Sequence, residues 1–341
     1  MENGIGYLKL FIALLLATGF FQCASDVDKD QHPAVALRGE YLGQALPDTV
    51  PKIFAPGIVS TNLNERDAVF SPDGNEFYFT LWSGKFGTIV FVKQENGQWL
   101  PPLVASFSGK YSDLEPFVAT DGKRLYFASN RPLEAGGEAK DYDIWFVERE
   151  GERWGEPKNI GAPVNTGKNE FYPVVTANGN LYFTTNREGS KGGDDIFLSR
   201  FHAGKYLAAV NLGVAINSKS DEFNAFVAAD ESMIVFSAWG RDDGLGRGDL
   251  YISFKNSDGD WQAAKNMGAK INSPALDYCP SISPDGKYFF FTSRRSAITR
   301  ETNVPRTYQQ LTALLNQPGN GNDDIYWVDS GIFLQFNKGL K

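Results

Sequence analysis

Short runs of apolar, aromatic and β-branched residues, bounded by Gly, Pro, Asn and Asp, recur along the chain, which predicts β-strands joined by turns. The clearest case is Asp277-Tyr-Cys-Pro-Ser-Ile282, the turn Ser283-Pro-Asp-Gly286, then Tyr288-Phe-Phe-Phe-Thr292 and, beyond a loop, Asp324-Ile-Tyr326. Asp285-Gly286 supplies a positive-φ turn, and the flanking aromatic residues suit a pleated surface.

The same unit occurs five times. Its turns are Ser71-Pro-Asp-Gly74, Ala119-Thr-Asp-Gly122, Thr176-Ala-Asn-Gly179, Ala228-Ala-Asp-Glu231 and Ser283-Pro-Asp-Gly286. Second strands follow at Phe77, Leu125, Leu181, Ile234 and Phe289. Third strands open with Thr88-Ile-Val90, Asp143-Ile-Trp145, Asp195-Ile-Phe197, Asp249-Leu-Tyr251 and Asp324-Ile-Tyr326. A period of about 50 residues made only of strands and turns predicts propeller blades.

Outer strands are predicted around Pro157-Lys-Asn-Ile160, Asn211-Leu-Gly213 and Asn266-Met-Gly268, each after a turn and an aromatic residue (Trp154, Tyr206, Trp261). A similar segment, Pro51-Lys-Ile-Phe54, comes first with no blade before it, whereas the fifth repeat has only three clear strands. The N-terminal strand is therefore expected to complete the last blade, so that no sheet edge stays open. This gives an all-β propeller of five four-stranded antiparallel blades, with six as the alternative.

Composition supports this reading: 42% hydrophobic and 14% aromatic residues give ample core, and 35 Gly with 17 Pro suit a turn-rich fold. A net charge of −8 makes nucleic acid or an anionic membrane face an unsuitable partner for the folded part.

At the N-terminus, Lys9 precedes the apolar run Leu10 to Phe21, which is too short to span a bilayer, so residues 1–22 are read as an export signal. Cys23 follows at once, where a lipoprotein is cut and acylated. Phe20-Phe-Gln-Cys23 lacks the usual small residue before the cysteine, and an ordinary secreted protein cut near Ala24 is the alternative. Residues 23–49 form a tether and leading arm, and 50–341 the propeller, with a helical insertion at about 296–322. With Cys23 acylated, Cys279 is left as a small buried hydrophobe, with no disulfide and no Cys-based metal site.

The Ser-Pro-Asp-Gly turns, the runs Leu125 to Arg131 and Leu181 to Arg187, and the Asp-Ile-aromatic triplets resemble the WD40-like repeat called PD40, found in TolB-like propellers and in lipoproteins of Bacteroidetes type. The resemblance covers about residues 50–330. It implies a propeller in the cell envelope, anchored in the outer membrane by lipid, and leaves function open because propellers host binding, scaffolding and catalysis alike. Glu231 departs from it at a turn glycine, and Thr88 at a third-strand Asp.

Residues before the first strand and after the second share one rim of a propeller. Six positions before each turn stand Glu65, Asp113, Glu170, Glu222 and Asp277, a carboxylate in every repeat. They are candidates for a cation, an amine or sugar hydroxyls; alternatively they are architectural, bonding loop backbone or pairing with Arg131, Arg187, Arg241 or Arg295. Just beyond the second strands, Trp82 and Trp239 replace the asparagines Asn130 and Asn186, and Arg294 stands at the fifth position. Two tryptophans beside arginines suggest a stacking platform for a sugar or aromatic group; each Trp could instead fill a gap under its own Gly-rich loop. In the fifth repeat, Thr307 to Asn316 has helical spacing and is expected to roof the channel or cover that blade's edge.

The third-strand aspartates lack the ligand spacing of a calcium loop and are expected to bond loop backbone. His32 and His202 are the only histidines, and His202 is placed on the face opposite the rim, which argues against a Ser-His-Asp triad and a His-ligated zinc centre. No catalytic residue, metal or cofactor is assigned. The sequence predicts a monomeric binding or scaffolding module whose ligand is a glycan or an envelope protein; carboxylate-dependent glycoside hydrolysis in the central cavity is the alternative.

Overall fold

The computed structural model describes Met1 and residues 37–134, 136–298 and 306–337; the export signal, Cys23 and His32 lie outside the described residues. Five blades are built from them, each a twisted antiparallel sheet. Blade one has strands Glu65–Phe70, Glu76–Trp82 and Gly87–Glu95, with Leu103–Val104 outermost. Blade two runs Asp113–Val118, Arg124–Ser129, Asp143–Glu150 and Lys158–Asn159; blade three Glu170–Val175, Leu181–Thr185, Asp195–Ser199 and Val210–Asn211. Blade four is Asp221–Val227, Met233–Trp239, Asp249–Phe254 and Lys265–Asn266. The outer strand of blade five is Lys52–Ile53, paired with Asp324–Asp329, so the chain's leading strand closes the ring as expected.

That closure is an aromatic one. Phe54 is fully buried and meets Phe70, Phe77, Phe290 and Trp327 at centroid distances of 6.1, 5.0, 5.1 and 5.2 Å, joining blade one to blade five. Tyr41 of the leading arm adds Tyr288 and Trp327, and its hydroxyl donates to Asp285 at 2.7 Å.

Outer strands are locked by an Asn-Asp pairing that repeats. Asn159, Asn211 and Asn266 donate to Asp143, Asp195 and Asp249 at 2.7, 2.6 and 2.8 Å. Six residues on, Asn165, Asn217 and Asn272 bracket the peptide of Ile144, Ile196 and Leu250. The third-strand aspartates are thus occupied within their blades. In blade five Ile53 takes the register of those asparagines, so Asp324 keeps one backbone donor, Gly319, and burial pushes its carboxyl up to about 7.

The departure at Glu231 also has a structural reason. It sits at φ 59, where its neighbours have glycine, and its carboxylate accepts from Thr176, Asn178 and Asn180 of the blade-three turn and from Lys255. Burial alone would raise this carboxyl; hydrogen bonds from Asn180, Lys255, Thr176 and Asn178 pull it down to about 2.

The predicted helix forms over Tyr308–Leu315, with Thr307 and Gln310 exchanging capping hydrogen bonds. None of its residues is buried, and Tyr308, Leu311 and Leu315 are exposed. Among the described residues no helix is long and apolar enough to cross a membrane.

Candidate functional site

The five carboxylates Glu65, Asp113, Glu170, Glu222 and Asp277 are all fully buried, each within its own blade. Glu170 accepts from Thr166 N, Thr166 Oγ1 and Arg187 at 3.0, 2.6 and 2.9 Å. Glu222 repeats this with Ser218 and Arg241, and Asp277 with Ser273 and Arg295. Asp113 is held by Ser108, Ser129 and Arg131, and Glu65 by Thr61. Each arginine also donates to a carbonyl of the preceding loop: Phe107, Val164, Ile216 and Ile271 respectively for Arg131, Arg187, Arg241 and Arg295. The carboxylates and arginines tie each blade to the loop that leads into it, which is the architectural alternative. They do not converge on a shared opening.

The residues that meet at the axis lie two positions nearer the turn. Every first strand carries a bulge, between Arg66 and Val69, Leu114 and Phe117, Phe171 and Val174, Phe223 and Phe226, and Tyr278 and Ser281. Its residue is left-handed in all five: Asp67 (φ 67), Glu115 (φ 59), Tyr172 (φ 50), Asn224 (φ 47) and Cys279 (φ 53). Such a conformation costs on the order of 1 kcal/mol or more per non-glycine residue and persists only where the surroundings fix it. Here they do. Glu115 Oε1 accepts from Arg66 at 2.8 Å and Asn224 at 3.0 Å, and Oε2 from Tyr172 N at 2.7 Å. Arg66 also pairs with Asp67 at 2.8 Å and donates to Cys279 Sγ at 3.4 Å. Cys279 is buried as expected, but against a guanidinium rather than in a purely apolar setting. Burial pushes Glu115 up to about 7 against the pull of Arg66.

This cluster divides the channel. Toward the Asp-Gly turns it opens into an apolar cavity of about 370 Å³ walled by Val69, Phe117, Val174 and Phe226. Toward the predicted rim it opens into a mouth of about 330 Å³ walled by Trp82, Tyr142, Phe171, Phe223 and Tyr278. Glu115 lines both. Arg66 stacks over Tyr278 at 5.0 Å, and Tyr142 meets Phe171 at 5.1 Å.

Trp82 lines this mouth, and Trp239, 59% exposed, lines an adjoining depression that shares Arg294, Phe223 and Leu276 with it. The structure thus brings Trp82, Trp239 and Arg294 to one rim; Arg295 reaches the depression while tied to Asp277. Arg294 is engaged by Asp323 in a two-pronged pair at 2.7 and 3.0 Å. Sequence reasoning missed Arg66, Glu115, Tyr142 and Asp194. For Glu115 a usable signal was present: the position four before each turn holds five different residue types, which breaks the repeat more sharply than the tryptophans do.

No protein-family model matches the chain. No curated protein matches it. Among solved structures it is similar to TolB from Acinetobacter baumannii at 15% identity and TM-score 0.45, over 79% of this chain and 57% of that one. It therefore spans little more than half of that TolB. It is also similar to an α-L-arabinofuranosidase from Lactobacillus brevis (11%, 0.44, 79% of this chain and 91% of that one) and an endo-arabinase from Bacteroides thetaiotaomicron (13%, 0.45, 71% and 92%). Likeness at this level says nothing of what the mouth binds.

Proposed function

We propose that the protein is a non-catalytic glycan-binding propeller of the bacterial cell envelope, a PD40-type lipoprotein anchored through Cys23, which captures its ligand in the aromatic mouth. The mouth itself supports this reading: five aromatic side chains surround a cavity sized for a small ligand, above a floor whose polar groups are already partnered. Aromatic faces stack on the C–H face of a sugar ring, and little of their ordering has to be done on binding.

Glycoside hydrolysis is the second reading, and Glu115 favours it: a raised carboxyl lining the channel near a second acid, Asp67. Both acids share Arg66, however, and the three donors on Glu115 leave no free oxygen for a leaving group. The test is a glycan array with protein beginning at Asp26, beside a reducing-sugar assay on every glycan retained. Binding without product supports the capture role. Product release would make Asp67 and Glu115 catalytic, and no binding at all would point to a protein partner.

A further inference from the structure

The charges around the mouth are not balanced. Arg66 pairs with Asp67 and Glu115, and Arg294 with Asp323. Asp194, on the loop leading into the third strand of blade three, lines the same mouth half-buried. Its backbone N–H donates to Asp221, but among the described residues nothing donates to its carboxylate. Burial raises this carboxyl, and the charges of Asp221 and Asp195 raise it further, as expected of an anion with no counter-charge.

A carboxylate without a donor, on a residue that lines an aromatic mouth, suits an organic cation, because ring faces and carboxylate attract positive charge together. Building on the glycan reading above, we infer that the ligand is an amino sugar whose ammonium pairs with Asp194 while its ring stacks among Trp82, Tyr142, Phe171, Phe223 and Tyr278. A cationic pyranose suits this arrangement better than a lysine chain does. The mouth is about 330 Å³ and lined by five aromatic residues, so a slender chain would leave most of those aromatic faces uncovered.

The experiment is titration calorimetry of the full-length protein with glucosamine, glucose, N-acetylglucosamine and a blocked lysine amide. Glucosamine should bind about tenfold or more tighter than the neutral sugars, the worth of one charge-assisted hydrogen bond. In Asp194→Asn that preference should vanish, so that charged and neutral sugars bind alike, while Trp82→Ala should weaken all three sugars. Thermal unfolding of each variant verifies that it is folded. Neutral sugars binding as tightly as glucosamine, or a preference that survives Asp194→Asn, would overturn the inference and leave glycan capture standing. Tighter binding of the lysine amide would reassign the site to a protein ligand. Failure of every sugar would remove the glycan reading as well.

Discussion

Glu115→Gln tests whether the closed waist of the channel is held by a neutral or an ionised carboxyl. Burial lifts Glu115 from an ordinary 4.5 to about 7. A carboxyl raised in the folded state binds its proton more tightly there than in the unfolded chain. Its contribution to stability is therefore complete below about pH 4.5 and is lost as pH rises through about 7. The loss across that window is about 3 kcal/mol, at 1.36 kcal/mol per pH unit. Glutamine cannot ionise. It also turns an amide N–H₂ toward either Tyr172 N or the Arg66 and Asn224 donors, an offset of about 1–3 kcal/mol that does not vary with pH. Urea unfolding followed by tryptophan fluorescence from pH 4.5 to 8 should then show the variant gaining on the wild type by about 3 kcal/mol. A difference that stays flat would refute the reasoning, since it would mean that Arg66 keeps Glu115 ionised throughout.

Two further outcomes follow from the packing. Phe54→Ala should lower stability by about 3–5 kcal/mol in the same unfolding assay, because the ring is fully buried among four aromatic residues that join the first and last blades. Arg131→Ala should lower stability by a similar 3–5 kcal/mol, since it strands Asp113 as an unpaired buried charge, and should leave glycan affinity of the folded protein intact; unchanged stability with lost capture would place Arg131 in the site instead.

Fold was the more legible part of this chain, for a local reason. Short apolar runs, Asp-Gly turns and the recurrence of both are properties of consecutive residues, so the five repeats and the displaced outer strand Lys52–Ile53 could be read directly. Side-chain direction around the axis is different. In each first strand the bulge shifts the pairing by one residue, so simple alternation does not say which position faces inward. The shared carboxylates Glu65, Asp113, Glu170, Glu222 and Asp277 therefore looked like a rim yet are staples inside the sheets.

The candidate site depended on tertiary structure for the same cause. Trp82, Trp239 and Arg294 were visible because they interrupt a repeat, and the rim does collect them. Asp194 and Asp195 stand side by side in sequence and meet opposite fates: Asn211 and two backbone amides take up Asp195, while Asp194 lines the mouth and, among the described residues, nothing donates to its carboxylate. The sequence by itself determined a β-propeller of about fifty-residue blades closed by its leading strand, because strand period and turn chemistry are local; the structure decided five blades over six. Only the closed ring decided how the central cluster of Arg66, Asp67, Glu115 and Asn224 would be partnered, because its members come from blades about fifty or more residues apart in the chain.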